Sequence, residues 1–196
     1  MSYIKGQEIS FPAIINITGS RGTEGLKYTP YEDGLVYFCT GQGYARGTDI
    51  KIADKIEGTT VQGIGDYAFS ECYKITSVRI PDSVRSIGSY AFSRCDSLKN
   101  IIIGNGVTDI YEGAFEDCIS LESITIPDSV TEIGDYAFRG CESLKSITIG
   151  EGIVYIGENA FSGCTDIHIY VPWSEDKVAG APWGAINPTI HYNSPQ

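Results

Sequence analysis

The sequence contains little that would support chemistry at a metal ion or an activated side chain. Its two histidines are His168 and His191, and none of its six cysteines is spaced as Cys-x-x-Cys or grouped with a histidine. A zinc site therefore has no ligand set, and no serine, histidine and acid carry the local signature of a catalytic triad. We predict a protein that is not an enzyme and that binds no cofactor.

The chain also lacks an excess of positive charge and long apolar runs. It has 196 residues, with 14 Lys and Arg against 25 Asp and Glu, which gives a formal net charge of −11. Such a chain repels phosphate backbones, so nucleic acid is not expected as a partner. No apolar run approaches the roughly 18–20 residues of a membrane span, so membrane insertion is not expected. Residues 1–8 lack the basic start and apolar stretch of a signal peptide.

The dominant feature of the sequence is an internal repeat of 23 residues, marked by Ala-Phe pairs and by cysteines. The two clearest columns are Phe69, Phe92, Phe115, Phe138, Phe161 and Cys72, Cys95, Cys118, Cys141, Cys164. A single unit cannot bury its own apolar residues, whereas stacked units turn each column into a continuous ladder. We predict that both columns lie in the core. The five cysteines are expected to be free, buried thiols, because a buried cysteine behaves as a small hydrophobe.

Each unit combines short extended pieces with turns. Residues 146–149 alternate polar and apolar side chains, as a half-buried strand does, and residues 130–133 form a second extended piece. Residues 136–141 are too few for a free helix and are predicted to form a helical or 3₁₀ turn. The remaining turns alternate between Pro-Asp and Gly-x-Gly, which gives a double period of 46 residues at Pro81, Gly104, Pro127 and Gly150.

The unit at residues 126–149 reads Ile-Pro-Asp-Ser-Val-Thr-x-Ile-Gly-x-Tyr-Ala-Phe-x-x-Cys-x-Ser-Leu-x-x-Ile-x-Ile. Over about residues 50–170 this pattern resembles the BspA-like, or Treponema pallidum-type, leucine-rich repeat. The resemblance implies a right-handed solenoid with short parallel strands and a role in adhesion and recognition. The C-terminal tail, residues 170–185, also resembles the ends of repeat proteins from gut Firmicutes bacteria and their phages. Two positions depart from the pattern, because Tyr111 replaces a glycine and Gly113 replaces a tyrosine.

The two ends of the chain do not share the register of the repeat. We predict four segments: a non-repeat cap or docking segment over 1–27, an N-terminal cap of the solenoid over 28–60, about five repeats over 61–170, and a C-terminal cap over 171–196. A short helix is expected to begin at Ser174. The tail holds both tryptophans, Trp173 and Trp183, either as apolar lids on the last coil or as an aromatic patch for a sugar ring.

The candidate binding face consists of the columns that the predicted strands turn outward. These side chains are mixed in charge and rich in hydroxyl groups: Lys99, Asn100, Ile102, Glu122, Ser123, Thr125, Lys145, Ser146 and Thr148. Polar faces of this kind bind proteins in repeat proteins, although simple solvation is the alternative for such positions. The expected partner is a protein or a glycan on a cell surface.

Three functions remain open from the sequence. The first is a recognition module of a bacterial or phage particle, such as a phage tail. The missing leader favours this function and a location on the virion, and a fibre component would be a homotrimer. The second is a secreted surface adhesin whose signal peptide lies outside this sequence, and the third is a structural or scaffold protein of a larger assembly.

Overall fold

The computed structural model describes residues 23, 26–31, 36–41, 47–175, 177 and 179–193, so most of the predicted segment 1–27 lies outside the described residues. Short strands connected by turns make up these ranges. They are β1 Lys27–Tyr31, β2 Val36–Gly41, β3 Asp49–Lys51, β4 Lys55–Ile56, β5 Thr59–Ile64, β6 Ser77–Arg79, β7 Ser86–Ile87, β8 Asn100–Ile102, β9 Asp109–Ile110, β10 Ser123–Ile126, β11 Glu132–Ile133, β12 Ser146–Ile149, β13 Tyr155–Ile156, β14 His168–Tyr170 and β15 Thr189–His191.

The strands form two stacks that run along the molecule. In the first stack the order is β1-β2-β5-β7-β9-β11-β13, parallel from β2 onward, with β4 paired antiparallel to β5 and β1 antiparallel to β2. In the second stack a parallel ladder β3-β6-β8 is followed by a parallel ladder β10-β12-β14-β15, and β8 lies beside β10. This arrangement confirms the predicted solenoid of short parallel strands.

The register of the strands places equivalent residues of successive coils on top of one another. Ile110 pairs with Ile133 and Ile133 with Ile156, one full repeat apart each time, and these side chains are buried between the stacks. Three steps of the second stack differ. Lys51 pairs with Arg79, because the first coil is longer than the others and includes the β4–β5 hairpin. Ser146 pairs with His168, which is one position short of a full repeat, and His168 pairs with Thr189, which is two positions short.

A column of phenylalanine rings runs through the core. Neighbouring rings are nearly parallel, with centroids 5.0–5.6 Å apart, and all five are fully buried. Cys95, Cys118, Cys141 and Cys164 are buried beside them, and the Cys95 thiol donates a hydrogen bond to the carbonyl oxygen of Phe69 at 3.2 Å. Cys72 departs from the prediction, because it is only partly buried. It lies in the first Ala-Phe-x-x-Cys turn of the sequence, so no equivalent turn precedes it in the stack.

The turn that carries each Ala-Phe pair is not helical, so the prediction of a helical or 3₁₀ turn over 136–141 was wrong. Tyr136 and Gly140 have positive φ angles of 58° and 70°, which a right-handed helix cannot contain. The Arg139 amide closes a tight turn on Tyr136, while the Phe138 amide donates to Ala160 of the next coil at 2.8 Å. Because some amides of the turn donate to carbonyl groups of the next coil, the turn forms hydrogen bonds between successive coils.

The Pro-Asp and Gly-x-Gly turns alternate because the two kinds of turn pack against each other in successive coils. The carboxylate of Asp128 accepts the Glu151 amide of the next coil at 2.9 Å. A Cβ atom added at Gly152 would meet the carbonyl oxygen of Asp128, and the same relation holds between Gly106 and Asp82. A Pro-Asp turn therefore accepts a glycine turn on top of it, which accounts for the alternation over two coils.

The departure at Gly113 also has a packing reason. The space that its Cβ would occupy is filled by the ring of Tyr90, and the backbone of Gly113 has φ 58°. The Tyr90 hydroxyl donates a hydrogen bond of 2.5 Å to the Glu112 carboxylate, which raises the pKa of Tyr90 to about 12. The missing side chain at residue 113 thus lets Tyr90 lean across to the next coil.

The C-terminal segment closes the end of the core with two tryptophans. Trp183 follows Ala160 in the register of the repeat; its carbonyl accepts the Phe161 amide at 3.0 Å, and its ring packs edge-on against Phe161. Trp173 is also buried. The helix expected from Ser174 is not present in the described residues of 171–188, which form bends and turns. Positive φ angles at Gly180 and Trp183 exclude a continuous right-handed helix there.

Candidate functional site

The second stack turns two rows of side chains away from the core. Row 1 contains Asp49, Ser77, Asn100, Ser123, Ser146, His168 and Thr189. Row 2 contains Lys51, Arg79, Ile102, Thr125, Thr148, Tyr170 and His191. Every side chain in both rows is exposed or partly exposed, because side chains alternate between the two faces of a strand and the other set fills the core. With strands about 4.8 Å apart, each row is about 29 Å long.

The structure brings the nine residues of the candidate binding face together. Six of them lie in the two rows on β8, β10 and β12: Asn100, Ile102, Ser123, Thr125, Ser146 and Thr148. The other three, Lys99, Glu122 and Lys145, directly precede these strands and are exposed. We name the two rows together with these three residues the open face.

The open face extends beyond the predicted residues at both ends. Asp49 and Lys51 begin it, and Tyr170 and His191 end it. Sequence reasoning missed them because the step from Lys51 to Arg79 is longer than the repeat and the step from Ser146 to His168 is shorter, so a fixed register does not align them. The extra length of the first coil was the feature of the sequence that could have indicated Asp49 and Lys51.

The N-terminal end of the open face is cationic. Lys51 and Arg79 are register partners on β3 and β6, and a shallow groove follows these strands to Ile102 on β8. The side chain of Ile102 is 50% exposed. Asp49, the acid nearby in row 1, accepts hydrogen bonds from the hydroxyl groups of Thr76 at 3.1 Å and Ser77 at 2.8 Å.

The C-terminal end of the open face is aromatic. His168 Nδ1 and His191 Nε2 are 2.9 Å apart, so one imidazole donates and the other accepts a single shared proton. The ring of Tyr170 stacks on His191 with centroids 4.3 Å apart. Within the described ranges no three His, Cys, Asp or Glu side chains form a group that could hold a metal ion.

The tryptophans do not form the predicted surface patch. Trp173 is 6% exposed and Trp183 3% exposed, so neither ring face is open to a sugar. The Lys177 ammonium also lies 5.0 Å from the centroid of the Trp173 ring and covers it. Of the two roles expected for these residues, the geometry is that of apolar lids on the core.

The cysteine column lacks the chemistry of a reactive site. Burial raises the pKa of the Cys95 and Cys164 thiols to about 12, and it raises those of Cys118 and Cys141 well above the ordinary value. The thiolate is the nucleophilic form of cysteine, so these residues are held in their inert form at neutral pH.

These coils, with a strand in each stack and a Phe-Cys core, define a leucine-rich repeat solenoid. A family model described as BspA type leucine rich repeat region matches residues 62–178 in six copies, where the sequence columns predicted about five. The chain therefore belongs to the BspA-type leucine-rich repeat family, as its sequence resemblance indicated. The described residues contain no helix of the length and apolarity that a membrane crossing requires.

Solved structures of bacterial leucine-rich repeat proteins have the same fold. The Treponema pallidum leucine rich repeat protein is 26% identical, with TM-score 0.73, over 86% of this chain and 83% of its own. A leucine-rich repeat protein from Bacteroides capillosus is 33% identical, with TM-score 0.58, over 64% and 94% of the two chains. A leucine rich cell surface protein from Faecalibacterium prausnitzii is 27% identical, with TM-score 0.55; the match covers 89% of this chain and 55% of that one. No curated protein sequence matches the chain.

Proposed function

We propose that this protein is a non-enzymatic recognition module that binds a protein on a cell surface through the open face. The observation that carries the proposal is the pair of solvent-facing rows along the second stack, about 29 Å long by the strand spacing. Ladders of this kind give repeat proteins extended binding surfaces. The relationship to a protein named for the cell surface supports the location.

The proposal is tested with protein coupled to fluorescent beads, because many copies on one bead make a weak single-site affinity visible. The beads are offered to a panel of gut bacteria, to epithelial cells and to matrix proteins. We expect the beads to bind epithelium or matrix. Protease treatment of the target is expected to remove this binding. Loss of binding after glycosidase treatment alone would indicate a glycan as the partner instead.

Two variants connect the binding to the open face. Thr125→Arg places a bulky charge at the centre of row 2 and is expected to abolish binding, whereas Thr131→Arg places it at an exposed position beside the first stack and is expected to leave binding intact. Equal binding by both variants would contradict the proposal. Binding confined to certain bacterial strains would favour host recognition by a phage tail, and light scattering of the same sample would then show a trimer.

A further inference from the structure

The charge of the open face is opposite to that of the whole chain. The face carries four cations, Lys51, Arg79, Lys99 and Lys145, and two carboxylates, Asp49 and Glu122, whereas the chain has 14 cations and 25 carboxylates. Row 2 contains no acid at all. A cationic surface attracts acidic partners.

The two cations at the start of row 2 lie side by side, and Asp49 of row 1 lines the same groove. Lys51 and Arg79 are register partners on neighbouring strands, and like charges in such positions destabilise a sheet. In the described part of the chain no carboxylate lies within ion-pair distance of either one. The contact between these two charges therefore does not stabilise the sheet.

Three ion pairs between successive coils join opposite charges, whereas Asp109 and Glu132 on β9 and β11 are, like Lys51 and Arg79, register partners of like charge. Arg94 lies 3.2 Å from the Glu71 carboxylate and 3.9 Å from that of Asp117, and Arg139 lies 3.0 Å from Glu116. Each of these three ion pairs joins neighbouring coils. The like-charged pair at Lys51 and Arg79 differs from that at Asp109 and Glu132 in its surroundings, because a groove and the exposed side chain of Ile102 adjoin it.

We propose that Lys51, Arg79 and Ile102 form a subsite for an extended acidic segment of a partner protein. Carboxylates of the segment pair with Lys51 and Arg79, and an apolar side chain of the segment packs on Ile102, the next position of row 2. This inference rests on the proposed function and names the chemistry of the partner. An Arg–carboxylate pair is the stronger contact, since guanidinium binds carboxylate with two parallel hydrogen bonds.

The test uses labelled nine-residue peptides and fluorescence anisotropy with the full chain. A peptide of alternating Glu and Leu is expected to bind, with an affinity that falls as salt is added. A Glu and Ser peptide is expected to bind more weakly, and a Lys and Leu peptide not at all. Arg79→Glu is expected to weaken binding of the Glu and Leu peptide by about tenfold or more.

The matched control is Lys55→Glu on β4 of the first stack, which changes the net charge by the same amount at an exposed site away from the open face. It is expected to leave peptide affinity unchanged. Arg79→Thr removes the like-charge contact and is expected to keep or raise the melting temperature while it weakens binding. That result separates a binding role from a folding role.

Several results would overturn the inference. They are equal loss of affinity in Arg79→Glu and Lys55→Glu, binding of the Lys and Leu peptide, or binding of heparin through Arg79 when no acidic peptide binds. If the beads of the previous section still bind cells through the open face while no acidic peptide binds, the peptide subsite is wrong and the proposed function stands. If beads and peptides both fail, the proposed function fails with it.

Discussion

At the scale of single residues, the protein is held together by side chains that stack on their own equivalents. The Phe115 ring lies between Phe92 and Phe138, with centroid distances of 5.4 and 5.3 Å, and it is fully buried. Each such ring contributes its buried area and two aromatic contacts. Because the rings touch one another, the loss of one exposes the faces of two.

Phe115→Ala is expected to lower the free energy of unfolding by about 3–5 kcal/mol, the range for a buried phenylalanine that leaves a cavity. Phe115→Leu keeps most of the volume but loses both aromatic contacts, so it is expected to cost about 1–3 kcal/mol, less than Phe115→Ala. Urea unfolding followed by circular dichroism measures both. A Phe115→Ala variant as stable as the Leu variant would contradict a close-packed ring column.

The thiols are expected to react in an order set by burial. Cys72 is only partly buried and its pKa is raised less than those of the four buried cysteines, so iodoacetamide at pH 8–9 should modify it before Cys95, Cys118, Cys141 and Cys164. Raising the pH increases the thiolate fraction of Cys72 first, because a thiol with a pKa of about 12 stays protonated there. Peptide mapping by mass spectrometry reads the order, and early labelling of Cys118 in the native protein would contradict it.

At the scale of elements, the turns specify the stacking as much as the strands do. Four aspartates accept an amide from the equivalent position of the next coil: Asp66, Asp82, Asp128 and Asp135. The glycine of the following turn lies against the backbone of Asp128 or Asp82, where any Cβ would collide. Charge-assisted hydrogen bonds and close backbone contact thus act on the same turn.

Gly152→Ala is expected to destabilise the protein by about 1–3 kcal/mol or more, because the added methyl group meets the carbonyl oxygen of Asp128. The control is Gly47→Ala, where the added Cβ would have only ordinary contacts with Asp49. Thermal unfolding measures both variants. Similar melting temperatures for the two would show that the turn can relax without cost.

The sequence predicted those elements that a repeated spacing of residues determines. The Phe column and the strand register follow from the periodicity of the repeat, because only stacking can bury such columns. The Ala-Phe turn was mispredicted, since the positive φ of Tyr136 is uncommon for a tyrosine and depends on bonds to the next coil. On the candidate site, the central residues were predictable, whereas Lys51 and His191 were hidden by the changes of step at the ends.

At the scale of the whole molecule, each coil contacts only its neighbours, so stability depends on position along the stack. Central coils are bonded on both sides, as where Thr131 donates to Thr108 and Val154 donates to Thr131. β15 has a partner strand on one side only among the described residues. In such a one-dimensional array the ends open more readily than the middle.

Hydrogen exchange should therefore be slowest in the central coils and faster towards both ends. Peptides that cover 107–133 are expected to be the most protected, and those that cover 27–31 and 189–193 the least. Exchange measured by mass spectrometry checks this order. Equal protection from end to end would show that the solenoid opens as one cooperative unit.

The alternation of Pro-Asp and Gly-x-Gly turns has a consequence for how such a chain can change in length. Duplication of a single coil would place two Pro-Asp turns or two Gly-x-Gly turns next to each other, and one interface would lose either its glycines or its aspartate. Duplication of two successive coils repeats an interface that already exists. Descendants of this chain that grow or shrink are therefore expected to do so by pairs of coils, and their ligand-binding rows would lengthen by two rungs at a time.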